Sequence, residues 1–131
     1  MASIFSRIVA GEIPCYKVYE DENHLAFLDI APLTMGHTLL IPKKETDYIF
    51  DIDTAEYLKL METAKKISLV IKAVTNCNRV GVAVIGLEVP HAHIHLIPIN
   101  AMDDMNFARP KLNLSKEQLS EIAEKLRNGF I

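Results

Sequence analysis

Apolar and polar positions follow two different periods along the chain, and the change of period divides it into elements. Short runs rich in aromatic and β-branched side chains, bounded by polar or glycine- and proline-containing turns, predict antiparallel strands. The runs are CYKVYE (15–20), HLAFLDI (24–30), HTLLIP (37–42), RVGVAVIG (79–86) and VPHAHIHLIP (89–98). HTLLIP is typical of a central strand that is buried on both faces. The last two runs are expected to form a hairpin around Gly86-Leu87-Glu88.

Apolar residues at spacings of three and four predict helices in three other places. The longest helix is expected over about 54–75, where DTAE supplies a capping box from Asp53 to Glu56. A second capping box, Ser115 with Gln118, opens a C-terminal helix. Ser3 is suited to cap a short N-terminal helix that ends near Gly11.

Together these elements predict an α+β fold with a five-stranded antiparallel sheet, one long helix and two shorter helices. The chain has 131 residues, of which 50% are hydrophobic. That length suits one compact domain and is short for two. We therefore expect a single domain over residues 1–131.

Composition excludes several classes of function. A net charge of −3 argues against a general affinity for nucleic acid, which requires a basic face. No long apolar run or basic N-terminal leader is present, so neither a membrane span nor a secretory signal is predicted, and a cytoplasmic location is expected. Cys15 and Cys77 form no CxxC pair, and we assign them no role.

The stretch HAHIHLIP contains three of the five histidines at alternate positions, His91, His93 and His95. Pro90 and Pro98 argue against a helix here. On a strand, alternate residues point to the same face and lie about 6.8 Å apart, so the three rings are expected to line one cleft.

Neutral imidazole is a nucleophile near pH 7, and neighbouring rings can donate hydrogen bonds to developing negative charge. This combination favours phosphoryl or nucleotidyl transfer. A zinc site is the main alternative. It is less favoured because HAHIHLIP contains no acidic residue or cysteine, and Glu88 precedes it by three positions. We expect neither a metal nor a cofactor. A purely structural role is the remaining reading, and His37 as a fourth nearby histidine weighs against it.

The motif HAHIHLI matches the pattern His-φ-His-φ-His-φ-φ, in which φ is apolar, and so resembles the histidine triad (HIT) family. IFSRIVAGEIP, KVYEDENHLAFLDIAP and GHTLLIPKK resemble, in order, N-terminal signatures of the nucleotide-binding branch of that family. The resemblance covers about residues 3–98 and leaves 99–131 as a variable segment.

The resemblance implies a homodimer whose sheets join edge to edge and a nucleotide whose α-phosphate lies against the triad. It implies that His93 is the nucleophile and forms a covalent nucleotidyl-imidazole intermediate. His95 is expected to hydrogen-bond the phosphate and leaving group, and His91 to support the cluster. His37 matches the upstream active-site histidine of the family.

The resemblance also implies nucleotide-binding positions. Asp29 matches the residue that receives the ribose hydroxyls, although an aspartate at the end of a strand often only caps a turn. Apolar positions that line the base pocket in the family match residues whose composition alone would indicate core: Phe5, Ile8, Phe27 and Ile30.

The chain departs from the family pattern at several positions. Ser3 and Ser6 stand where many members have the Cys-x-x-Cys of a structural zinc site, so we predict no structural zinc. Leu87 and Glu88 replace the usual Gln-Ser/Thr before the triad, at the nucleotide-binding edge of the site. Their replacement leaves no clear match for the amide and hydroxyl groups that contact phosphate in the family.

Residues 101–113 do not resemble the short tail of the phosphoramidase branch and are expected to form a wall of the pocket. Arg109 and Lys111 are candidate phosphate contacts there, although exposed basic residues usually only solvate a loop. The resemblance implies a hydrolase or nucleotidyl transferase acting on a small purine nucleotide, such as a nucleoside phosphoramidate or a dinucleoside polyphosphate. The alternative is a nucleotide-binding or interaction module with little or no turnover.

Overall fold

The fold is an antiparallel sheet with helices on both faces. The computed structural model describes residues 2–130, so the ends of the predicted domain, residues 1 and 131, lie outside the described part. The strands are β1 (Lys17–Glu20), β2 (His24–Leu28), β3 (Thr38–Pro42), β4 (Arg79–Ala83) and β5 (Ile94–Ile99), in the order β1-β2-β3-β5-β4. The helices are α1 (Ile4–Val9), α2 (Thr54–Thr75) and α3 (Lys116–Asn128), with short 3₁₀ helices at Ile49–Asp51 and Met102–Met105. The predicted fold class is confirmed.

Each α-helix begins where the sequence supplies a side-chain cap. Ser3 Oγ accepts a hydrogen bond from the Ser6 amide at the start of α1. Asp53 caps α2 through the Ala55 amide, and Ser115 and Gln118 form the predicted capping box of α3.

Alternation along the strands gives the sheet two different apolar faces. One face packs against α2 and α3 through Ala26, Leu28, Leu40, Ile94 and Leu96. The opposite face packs against α1 through a smaller set of side chains, Leu25, Phe27, Leu39 and Ile41. The prediction that the HTLLIP strand is buried on both faces is therefore confirmed, and the smaller face is left partly open for a site.

The predicted hairpin of the last two strands is confirmed, but the brief connection expected at Gly86-Leu87-Glu88 is wrong. β4 ends at Ala83 and β5 begins only at Ile94, although the two strands pair and Ala83 lies opposite His95. Residues 84–93 between them form a long loop. The Ala92 amide donates to Thr46 O at 2.7 Å, so a tertiary contact replaces strand pairing there. No helix in residues 2–130 is both long and apolar enough to span a membrane.

Candidate active site

A cavity of about 610 Å³ opens on the α1 side of the sheet. Its walls come from α1, the end of β2, the loop 84–93 and the segment after β5. Three of the histidines identified in the sequence line it, His37, His93 and His95. A cavity of this size with apolar walls and a few converging polar groups is typical of a small-molecule site.

Strand pairing brings His95 and His37 together. His95 lies in β5 opposite Leu39, and His37 directly precedes β3, the strand that pairs with β5. The His37 Nε2 to His95 Nδ1 distance is 2.9 Å, and the ring centroids are 5.2 Å apart. Both rings are buried, with 1% and 8% of their surface exposed.

The prediction that all three triad histidines line one cleft from one strand is wrong. Only His95 lies in a strand, while His91 and His93 lie in the loop that precedes it. His91 is completely buried and does not line the cavity. Its Nε2–H donates to Pro42 O at 2.7 Å, and its Nδ1 accepts from Ser3 Oγ at 3.0 Å. His91 therefore supports the loop from behind the cavity.

Main-chain groups determine which nitrogen of each cavity histidine carries the proton. The Leu33 amide donates to His37 Nδ1 at 3.0 Å, so the proton of neutral His37 is on Nε2. That N–H donates to His95 Nδ1, which places the proton of His95 on Nε2. The chain of hydrogen bonds thus leaves His95 with an N–H donor for a ligand.

His93 has the opposite arrangement. Its Nδ1–H donates to the His91 carbonyl at 2.8 Å, so Nε2 keeps its lone pair. In residues 2–130 no buried side-chain nitrogen or oxygen lacks a hydrogen-bond partner, and Nε2 of His93 has none, so this atom is accessible from the cavity. The ring packs edge-on against Phe5 at 5.0 Å and lies 5.1 Å from His95. A free lone pair therefore lies beside a free N–H donor.

Burial keeps the supporting histidines neutral. Loss of solvation, with a smaller contribution from the neighbouring His95, lowers the pKa of His37 to about 3. The same desolvation lowers the pKa of His95 to about 4. Burial also lowers the pKa of His91. At pH 7 the tautomers described above for these three histidines are therefore the dominant forms.

Asp29 combines the two roles considered from the sequence. Its Oδ1 accepts from the Ala31 amide at 2.9 Å, which is the turn-capping contact. Its side chain also lines the cavity, with Oδ2 3.7 Å from His37 Nε2. Desolvation raises the pKa of Asp29. The carboxylate can accept hydrogen bonds from a ligand without leaving its turn.

Asp29, His37 and His95 are the residues whose side-chain atoms come closest to a metal-binding geometry, with one ligand atom from each within 4.8 Å of the others. Metal ligation requires an unprotonated nitrogen. His37 Nε2 carries a proton as long as the Leu33 amide donates to Nδ1. A metal ion would have to break that hydrogen bond, so the donor set fits a metal poorly.

The residues that the resemblance assigns to nucleotide binding all line the cavity. Phe5 and Phe27 are buried and also belong to the apolar core, while Ile8 is half-buried and Ile30 is 71% exposed. Two residues of the long loop stand at the mouth and are exposed, Leu87 and Glu88. The leucine offers no hydrogen-bond donor where the family has an amide.

The segment after β5 forms the opposite wall. The Phe107 ring packs edge-on against His95 at 5.0 Å, and Lys111 lines the cavity beside it. Arg109 does not line the cavity. Its guanidinium donates to Leu33 O and to the Asp104 carboxylate, so it fastens the wall to the turn before β3.

The hydrogen-bond network at Glu45, and the burial of His24 outside the cavity, were not apparent from the sequence. Glu45 Oε1 accepts hydrogen bonds from the Ser3 amide and from Ser6 Oγ, both at 2.7 Å, and these bonds lower the pKa of Glu45 to about 2. This network ties α1 to His91. His24, which its polar neighbours would place on the surface, is 7% exposed and lies 3.0 Å from Asp21 Oδ1.

Comparisons with known proteins agree with this geometry. The family model of the HIT domain matches residues 10–102. A HIT-like protein from Borreliella burgdorferi is 39% identical over 94% of both chains. The adenosine 5'-monophosphoramidase of Schizosaccharomyces pombe is 31% identical over 96% of both chains. The crystal structure of a Bartonella henselae Hit-like protein has a TM-score of 0.83 and 31% identity, covering 97% of this chain and 95% of that one. A Sulfolobus tokodaii structure described as a hypothetical histidine triad nucleotide-binding protein has a TM-score of 0.81 and 30% identity, covering 95% and 89%.

Proposed function

Because the chain belongs to the histidine triad (HIT) family, we propose that it binds a small purine nucleotide and hydrolyses it, or transfers its nucleotidyl group, at the α-phosphate. Nucleoside phosphoramidates and dinucleoside polyphosphates are the expected substrates. Similarity to a yeast protein named as an adenosine 5'-monophosphoramidase supports the first of these classes. Similarity to the Sulfolobus tokodaii structure described as nucleotide-binding supports the binding of a nucleotide.

The observation that carries the proposal is the pairing of His93 Nε2 with the Nε2–H of His95. The first atom is an unprotonated nucleophile because the His91 carbonyl holds the proton on Nδ1. The second atom, Nε2 of His95, is a donor because the N–H of His37 occupies the lone pair on Nδ1 of His95. An electrophile carrying partial negative charge on its oxygens matches both atoms at once.

The reaction then proceeds in two steps. His93 Nε2 attacks the α-phosphorus, the bond to the leaving group breaks, and the leaving group departs with the electron pair and takes a proton from water. Because the Nδ1–H of His93 stays on the His91 carbonyl, the positive charge of the nucleotidyl-imidazole is stabilised. Water then forms a P–O bond and loses a proton, the P–N bond breaks, and the electron pair returns to Nε2.

The remaining cavity residues fit the other parts of a nucleotide. Asp29 has a second carboxylate oxygen available for the ribose hydroxyls, since Oδ1 accepts from Ala31. Phe5, Ile8 and Phe27 offer an apolar wall for the flat base. Ile30 lies beside them at the exposed edge.

The proposal includes a homodimer in which the sheets join edge to edge. β4 is one of the two outer strands of the sheet, the other being β1, and within residues 2–130 it pairs only with β5. Val82 in β4 is 52% exposed, and Val84, directly after the strand, is 41% exposed. An apolar outer strand with unpaired main-chain groups is a template for pairing with a second strand.

A nucleotide-binding module with little turnover is the second candidate. Leu87 and Glu88 stand at the cavity mouth where the resemblance leads one to expect an amide and a hydroxyl donor. A carboxylate there repels phosphate, and a leucine does not stabilise it. Tight nucleotide binding without product formation would favour this candidate.

Turnover of an adenosine 5'-phosphoramidate by the native protein and by His93→Ala tests the proposal. We expect the variant to lose at least about 10³-fold in kcat, because no other group can supply the nucleophile. We expect it to bind AMP nearly as well as the native protein does. With an α-³²P-labelled substrate, an alkaline quench should trap label on the native chain and not on the variant.

His24→Asn is the matched control, because His24 is also 7% exposed and does not line the cavity. It should retain activity and labelling. Unchanged product formation by His93→Ala would refute the nucleophile assignment.

A further inference from the structure

Neither the buried histidines nor the acidic residues of the cavity supply a positive counter-charge for a phosphate. Burial keeps His37 and His95 neutral at pH 7. Asp29 and Glu88 line the same cavity and are acidic. Within the part of the chain that the structure describes, Lys111 is the only lysine or arginine that lines it.

Lys111 stands on the wall that faces the histidines. Its ammonium group donates to the carbonyls of Phe107 and Arg109. The Phe107 ring in turn packs against His95 at 5.0 Å. An ammonium group has three donors, so one N–H stays free for a ligand after these two contacts. Desolvation raises the pKa of Asp29 and lowers the pKa of His37, and the positive charge of Lys111 partly opposes the first shift and adds to the second.

The wall is held in place by the same turn that orients His37. The Leu112 amide donates to Pro32 O at 2.9 Å, and the Arg109 guanidinium donates to Leu33 O. The Leu33 amide is the group that fixes the His37 tautomer. The lysine and the histidine cluster are therefore positioned by adjacent residues of one turn, although they are far apart in the chain.

We propose that Lys111 is the phosphate-binding cation of this site and supplies the counter-charge that Leu87 and Glu88 do not. This inference rests on the proposed function and specifies which residue selects a phosphorylated ligand over a nucleoside. The match to the family model ends at residue 102, so Lys111 belongs to a segment outside the matched region.

Calorimetric titrations with AMP and with adenosine test the role of Lys111. The native protein should bind AMP more tightly than adenosine. Lys111→Met removes the charge and keeps an apolar stem, so it should weaken AMP binding by about tenfold and leave adenosine binding unchanged. Lys111→Arg should restore most of the AMP affinity. Increasing salt should weaken AMP binding by the native protein more than by Lys111→Met.

Lys65→Met is the matched control, since Lys65 is exposed on α2, which packs against the other face of the sheet. It should bind both ligands as the native protein does. Native-like AMP binding by Lys111→Met would overturn the role of Lys111 and leave the proposed function standing. So would an equal loss for AMP and adenosine. Failure of the native protein to bind either ligand would overturn both.

Discussion

At the scale of residues, main-chain groups fix the tautomers of His37 and His93, and His37 in turn fixes the tautomer of His95. A carbonyl holds the proton of His93 on Nδ1, and an amide holds the lone pair of His37 on the same atom. His37 consequently donates its N–H to His95, and the cavity receives an N–H donor from His95 and a lone pair from His93. A backbone amide or carbonyl does not titrate, so the tautomer of each ring in its neutral form persists as long as the fold is intact.

We predict that stability falls as the pH decreases from about 6.5 to about 4. Burial lowers the pKa values of His37, His91 and His95 in the folded state, whereas in the unfolded chain they return to about 6.5. Below pH 6.5 the unfolded state therefore binds protons that the folded state does not. Each histidine should contribute a slope of up to about 1.4 kcal/mol per pH unit. Urea unfolding at pH 7, 6 and 5 measures the dependence of the free energy of unfolding on pH.

A variant with His37 and His95 both replaced by asparagine is the control and should show a shallower slope. The carboxylates act in a lower window, because the pKa values of Asp21 and Glu45 are lowered to about 2. Their contribution is present above about pH 4.5 and is lost as the pH falls toward 2. A flat stability between pH 7 and 5 would contradict the assignment of neutral buried histidines.

The sequence identified the histidines that line the cavity, but it did not predict the direction in which each histidine side chain points. Alternation in HAHIHLIP indicated three rings on one strand face, yet the Ala92 amide bonds to Thr46 and turns His91 into the protein. His24 is buried beside polar residues for the same kind of reason, since Thr63 on α2 contacts its ring. Contacts between residues distant in the chain have no local signal in the sequence.

At the scale of elements, local signals were sufficient for helices and insufficient for the loop before β5. The bounds of α2 follow from the Asp53 cap and the helical spacing, both of which are local. Residues 84–93 have the composition of a strand and are irregular because they bridge β4 and β5 around the cavity. Strand composition alone does not distinguish pairing from a tertiary contact.

Gly81 couples β4 to the segment that carries the wall. A Cβ at this position would lie 2.6 Å from Met105 Sδ and 3.3 Å from Ile99 Cδ1. We predict that Gly81→Val lowers the free energy of unfolding by about 1 to 3 kcal/mol, because this overlap outweighs the strand propensity gained. It should also weaken AMP binding by displacing Met105 and the residues after it. Urea unfolding and calorimetry measure the two effects.

Met105→Ala is the partner for a double-mutant cycle. It makes room for the valine, so the double variant should be less destabilised than the sum of the two single variants. Strict additivity would show that Gly81 and Met105 are not coupled.

At the scale of the whole molecule, the exposed outer edge of β4 is where a second copy is expected to pair. We predict that Val82→Lys shifts the protein from dimer to monomer in sedimentation equilibrium, because a charge on each copy would meet at the joined edge. Met35→Lys is the control, since Met35 is similarly exposed at 49% and lies in the β2–β3 connection, away from β4. A native protein that sediments as a monomer would refute the proposed dimer.

The cavity takes its walls from both ends of the chain, with Phe5 on one side and Lys111 on the other. On a ribosome, which releases the chain from its N-terminus, the histidines emerge before the wall opposite them exists. A nascent chain therefore has no complete nucleotide pocket until the segment around residue 111 has been released. Because α3, which covers the other face of the sheet, follows this segment in the chain, the pocket and the core are both completed in the last stretch of synthesis.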